Sequence, residues 1–173
     1  PLPPAIAPPD SLRVDGPAFA RILAAAMPPR TDDARGPARI YLSRGDRARR
    51  RLENREEIEA IAVEHGFLVV DPGDLPFERQ VELVRDAQVA LMPDGSAAFL
   101  VFLAGPGLSV GILGNGHDSD FEFFVEILEA QGNELVLLSG TQTRRHERYP
   151  EMSDYRIDPE AFRALLVRLC GDA

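Results

Sequence analysis

From Ala38 to the C-terminus, short apolar runs alternate with segments of helical periodicity, and that alternation confines the chain to few folds. The runs are ARIYLS, FLVVD, QVALM, LSVGIL and ELVLLS, with strands expected to begin near Arg39, Phe67, Gln88, Leu108 and Glu134. Between them, NREEIEAIAVEHG carries Asn54 as N-cap, Glu57 at the capping-box position and Gly66 as a stop. PFERQVELVRDA places Pro76 in a first turn and Phe77, Val81 and Val84 on one face. SAAFLVFLA is apolar enough for a buried helix, and DFEFFVEILEAQG reads as a helix ending at Gly132. DPEAFRALLVRLCG closes the chain with Phe162, Leu165, Leu166 and Leu169 inward. Near-continuous apolar strands belong to a sheet covered on both faces, and helical connections imply parallel pairing. The expectation is an α/β fold of the doubly wound type, with a mostly parallel five-stranded sheet over residues 38–173. Residues 1–37 read as a proline-rich arm (Pro1–Pro9), a short helix from Ala18 to Met27 and a polar linker from Arg30 to Pro37.

A length of 173 residues suits one such domain and is too short for two of full size. Cys170 is the only cysteine, which excludes an internal disulfide and a cysteine metal cluster. The three histidines are too scattered to suggest a metal site, and no cofactor is expected. A net charge of -9 argues against a nucleic-acid surface. No run is apolar for long enough to span a bilayer, no signal-peptide pattern stands at the start, and a cytoplasmic location is expected. The chain begins at Pro1 and reads as a processed or excised piece. It contains no lysine, so Schiff-base and P-loop chemistry are excluded. With abundant Ala, Arg, Gly and Pro, this suggests a high-GC bacterial source.

In a doubly wound sheet, ligands sit beyond the carboxyl ends of the strands, near a switch in strand order. The loops after Ser43, Met92 and Leu113 are therefore the places to look. The first, SRGDRARRRLEN, packs six arginines between Arg44 and Arg55 against Asp46 and Glu53. Guanidinium groups grip phosphate in a bidentate fork, and the helix N-terminus that follows adds backbone donors, so a diphosphate is a natural occupant. A solvated arginine run is the plainer alternative. The second loop, MPDGSAAF, has Gly95 where a ligand can approach the backbone, or where a short turn simply needs glycine. In the third, LGNGHDSD, His117 and Asp118 are candidate contacts in what otherwise reads as a surface loop. His65 reads as a helix cap, and His146 sits in TQTRRHERYP, read as a charged loop. Glu53, Glu56 and Glu57 stand where carboxylates serve a helix dipole.

Ser43-Arg44, then Arg50-Arg51 five residues on, then Asn54 resembles the motif of glycosyltransferase family 61, often described as capsular polysaccharide biosynthesis proteins. The resemblance continues through GFLVVDPGDLPFERQVELVRDAQVALMPDG, where Gln80, Ala87, Pro93 and Gly95 fall in place, through the turn at Gly105 to Gly107, and into YRIDPEAFRALL. It covers the chain from about Ala38 onward. The resemblance implies an inverting, metal-independent enzyme of GT-B architecture, with two facing Rossmann-like domains, of which this chain is the C-terminal, donor-binding one. Its partners would be a nucleotide-diphosphate sugar, a glycan acceptor and a missing N-terminal α/β domain. By position, Arg44, Arg50 and Arg51 would meet the diphosphate, with Asp94, Gly95 and Ser96 beside it, and Asn54 would orient the loop and cap its helix. No catalytic base is assigned.

The chain departs from the family pattern at Asp94, where His is usual, at Leu100, where Asn is common, and at Ile112, where Glu typically ends the strand. A carboxylate at position 94 repels a diphosphate, and Ile112 has nothing to hold a ribose hydroxyl. Two functions follow: a glycosyltransferase donor domain, or a non-catalytic domain of the same fold that binds a nucleotide or a protein partner.

Overall fold

The computed structural model describes residues 15–26, 36–45, 49–117 and 121–171. The proline-rich arm, the helix stop at Met27 to Pro29, most of the polar linker, Asp46, Arg47 and Asp118 lie outside these. The five apolar runs form β1 (Arg39–Leu42), β2 (Leu68–Val70), β3 (Val89–Pro93), β4 (Ser109–Gly114) and β5 (Glu134–Ser139). Each begins within one residue of the position expected from the sequence. All five are parallel, in the order β2-β1-β3-β4-β5.

Helices cover both faces, giving a Rossmann-like, doubly wound arrangement. On one face, α2 (Arg55–Glu64) and α5 (Pro159–Cys170) bury Ile58, Ile61, Phe162, Leu165 and Leu166 against Tyr41, Leu91 and Leu113. On the other, α1 (Gly16–Ala26), α3 (Phe77–Arg85), a 3-10 segment (Ser96–Leu103) and α4 (Glu122–Ala130) pack on Ile40, Leu42, Met92, Val110 and Ile112. Each large apolar side chain so buried contributes roughly 1.5–3 kcal/mol. Phe19 of α1 stacks edge-on against Phe102, which ties that helix into the core.

The chain differs from the sequence expectation in four places. SAAFLVFLA is a 3-10 segment with Phe99 exposed, not a fully buried helix. Phe77 is exposed too: α3 leaves the carboxyl end of β2, so its first turn overhangs the sheet's rim, and only Val81 and Val84 reach the core. Pro76 stands at the N-cap of that helix, one residue before its first turn. TQTRRHERYP does not form only a loop. Its first residues make β6 (Thr141–Arg144), which pairs antiparallel with β7 (Asp154–Arg156). The threonines suit a strand, but the arginines that follow mask the signal. His146 stays in the connecting loop and accepts from the Tyr149 amide.

Candidate functional site

The strand order reverses between β1 and β3. From β1 the chain passes to β2 on one side, then returns past β1 to β3, β4 and β5. The loops after β1 and β3 leave toward opposite faces and open a crevice between them.

The first loop is anchored before it turns. The buried Ser43 hydroxyl donates to Glu59 Oε1 of α2 (2.6 Å) and accepts from the Gly45 amide (3.3 Å). Gly45 then takes a left-handed conformation (φ +58°), where a Cβ would stand 2.7 Å from Asp71 Oδ2. Only glycine meets both demands without strain. Arg44 runs across the crevice to the second loop. Its Nη1 donates to the carbonyl oxygens of Asp94 (3.2 Å) and Arg50 (3.3 Å). Gly95 admits it: a Cβ there would lie 3.2 Å from Arg44 Nε.

Arg50 follows the same course. Its backbone is left-handed (φ +52°), and its Nη1 pairs with Asp94 Oδ2 at 2.7 Å, each side chain about one-fifth exposed. Its Nε is buried without a hydrogen-bond partner among the described residues. Asp94 therefore neutralises one of the arginines, while its own amide stays in the sheet, donating to the Leu113 carbonyl (2.8 Å).

Beside this junction lies a cleft of about 530 Å³ at the carboxyl ends of β1, β2 and β3, lined by Arg44, Arg49, Asp71, Gln80, Ser96 and Leu100 among others. Gln80 fastens its rim by donating to the carbonyls of Pro72 (2.8 Å) and Leu75 (2.9 Å). The structure thus brings together Arg44, Arg50, Asp94 and Gly95, with Ser96 on the cleft wall. Asn54 is elsewhere, in a second concavity of about 500 Å³ by the start of α2, with Glu57 and Arg156. Arg51 lines that concavity too, and also a small pocket that it shares with Arg44 and Arg50. Asn54 stands at the N-cap position but makes no cap hydrogen bond. Its amide is committed to the Ile157 backbone, donating to the carbonyl (2.8 Å) and accepting from the N–H (3.1 Å). Glu57 accepts from the same side chain, Asn54 Nδ2 (3.1 Å), which puts its carboxylate to a different use from the capping box.

Of the two other departures, Leu100 lends the cleft an apolar wall and Ile112 is fully buried in the core. His117 donates its amide to Asn115 Oδ1, and Asn115 Nδ2 donates to the carbonyls of Pro150, Glu151 and Ser153.

The residues that sequence reasoning missed are those that shape the arginine loop from behind. Asp154 accepts the Arg51 amide (2.8 Å), Tyr155 exchanges backbone bonds with Arg51 and Glu53, and its hydroxyl donates to the Leu113 carbonyl (2.8 Å). Burial, and after it the Asp94 carboxylate, raise the Tyr155 hydroxyl well above its ordinary pKa, with Arg44 and Arg50 opposing. The signal in the sequence is the alternation in SDYRI, with Ser153, Tyr155 and Ile157 inward.

Residues 6–111 match the family model described as Glycosyltransferase 61. The chain belongs to glycosyltransferase family 61. The family's match starts upstream of Ala38 and includes Arg44, Arg50, Asp94, Gly95 and Ser96. It ends in β4, short of the hairpin and of YRIDPEAFRALL. No curated protein matches the chain. Among the described residues no helix is long and apolar enough to cross a membrane, and no three His, Cys, Asp or Glu side chains gather as metal ligands.

Proposed function

We propose that this chain is the donor-binding half of a glycosyltransferase that takes a sugar from a nucleotide diphosphate to a glycan acceptor. One observation carries the reading: in a family 61 chain, Arg44 crosses the switch point onto Asp94 and Gly95 at the mouth of the cleft. The diphosphate lies beside Arg44 and Arg49, with Gly95 and Ser96 offering backbone at close range. Arg50 meets it in exchange for Asp94, while Arg51 and Asn54 act by holding the loop's shape. As the anomeric C–O bond breaks, charge builds on the leaving diphosphate, and fixed guanidinium groups stabilise it. Transfer is inverting and needs no metal. Residues 38–173 form the nucleotide-sugar domain of a GT-B enzyme, and an N-terminal α/β domain brings the acceptor. The setting is the cytoplasmic synthesis of bacterial polysaccharide of the capsular type.

A thermal-shift panel of nucleotide-diphosphate sugars tests this, because a ligand of the native state raises its melting temperature. One donor should raise it, the free nucleoside should not, and no shift with any donor overturns the reading. The chain alone should transfer nothing measurable, since transfer depends on holding two substrates in register.

A second reading has its own support. Asp94 already occupies Arg50, and Ile112 is sealed in the core, which favours a non-catalytic domain that binds a nucleotide or a protein partner. Restoring His at position 94 in a two-domain protein separates the two: an enzyme gains or keeps transfer, and a non-catalytic domain shows none.

A further inference from the structure

The arginine loop is held from behind as well as by its own bonds. Its second half, from Arg50 to Asn54, lies beside the segment from Met152 to Ile157 and pairs with it at one parallel bridge, between Leu52 and Tyr155. The Arg50 amide donates to the Met152 carbonyl (3.3 Å), the Arg51 amide to Asp154 Oδ1 (2.8 Å) and the Glu53 amide to the Tyr155 carbonyl (2.9 Å). The Tyr155 amide returns a bond to the Arg51 carbonyl (2.9 Å). Arg50 is thus held in its left-handed conformation from both sides.

Tyr155 does more than pair its backbone. Its side chain passes under the loop to the end of β4, where the Leu113 carbonyl accepts both the Tyr155 hydroxyl and the Asp94 amide, each at 2.8 Å. One residue therefore bonds to the loop that carries Arg50 and to the carbonyl that fixes Asp94. These are the two partners of the ion pair at the crevice.

We propose that Tyr155, with Asp154 as its auxiliary, is a positioning residue that sets the distance and angle between the loops after β1 and β3, and so the crevice's affinity for a diphosphate. The anion part of this rests on the donor-binding reading above. The positioning part does not. What sets this hydroxyl apart is its acceptor, the Leu113 carbonyl that also holds the Asp94 amide. Tyr41 provides the contrast: it is equally buried, but its hydroxyl has no hydrogen-bond partner among the described residues.

The test compares the wild type with Tyr155→Phe, Asp154→Ala and Tyr41→Phe, using inorganic pyrophosphate as the probe and the Arg50 Nε–H resonance as a ligand-free signal. Tyr155→Phe should shift the Arg50 resonance and weaken pyrophosphate binding by about tenfold, the equivalent of one buried hydrogen bond. Asp154→Ala, which removes the acceptor of the Arg51 amide, should move both in the same direction, and Tyr41→Phe should move neither. If Tyr155→Phe melts earlier yet leaves the Arg50 signal and the affinity at wild-type values, Tyr155 is merely structural and the proposal falls. If the wild type binds no pyrophosphate, the donor reading falls, and the Arg50 resonance still decides whether Tyr155 positions the pair. If Tyr155→Phe fails to fold, Asp154→Ala decides: unchanged Arg50 resonance and affinity there overturn the proposal.

Discussion

Arg50 reaches across the switch point to hold the Asp94 carboxylate at 2.7 Å, and it does so from a left-handed backbone. Such a conformation is uncommon for a residue with a side chain, and it persists only where the surroundings enforce it. Here the enforcement comes from the hairpin behind the loop, and the consequence is a crevice in which one arginine is already paired.

Replacing Asp94 should therefore release charge into the crevice. Asp94→His should tighten nucleotide-diphosphate binding, measured by calorimetric titration, and the gain should shrink as added salt screens the site. An unchanged affinity would mean that position 94 does not face the phosphates. The same substitution leaves Arg50 without its carboxylate, so the melting temperature should fall, by the equivalent of about 1–3 kcal/mol.

Arg44 contributes differently, since its Nη1 donates to the carbonyl oxygens of Asp94 and Arg50 and its side chain lines the cleft. Arg44→Ala should weaken nucleotide-diphosphate binding by about 1.5–3 kcal/mol, the range for a hydrogen bond to a charged group. Binding at wild-type strength in the variant would remove Arg44 from the site.

Gly45→Ala tests the loop's geometry without touching an arginine. The left-handed backbone disfavours a Cβ by roughly 1–2 kcal/mol, and Asp71 must also give way. Chemical denaturation should show a loss of at least that size. A neutral result would show that the loop turns elsewhere.

Alkaline pH should unfold the protein through its buried tyrosines. The hydroxyls of Tyr41 and Tyr155 are both raised above the ordinary value of 10.0, chiefly by burial. The folded state thus holds protons that the unfolded state gives up near that pH. The stability linked to these groups is whole below pH 10 and is lost as pH rises toward the folded values. Denaturation curves from pH 8 to 12 should slope downward above about 10, and Tyr155→Phe should flatten part of the slope.

Periodicity made the sheet legible. Arg39 and Glu134 open their strands as expected, and Phe162, Leu165, Leu166 and Leu169 turn inward as their spacing requires. The helix at Asn54 was legible too, but the work of the asparagine was not. An N-cap signal reports local geometry, and the Ile157 backbone that claims the side chain lies far along the chain. The arginine run shows the same limit. A row of like residues carries no sign of which members share a side: Arg44 and Arg49 line the cleft, while Arg51 meets Arg44 and Arg50 at a small pocket and also lines the concavity by α2. Phe77 was misjudged because an amphipathic pattern gives a helix's inward face and not where the sheet beneath it stops.

The bonds from Arg51 to Asp154 and from Asn54 to Ile157 each span 103 residues. Contacts so distant in sequence form late, because the loop they close must first lose its freedom. On the ribosome, the sheet can assemble through β5 while the arginine loop still lacks the strand that shapes it. The crevice then matures only once the segment from Met152 to Ile157 has emerged, so a nascent chain still short of it would carry the sheet without a finished anion cradle.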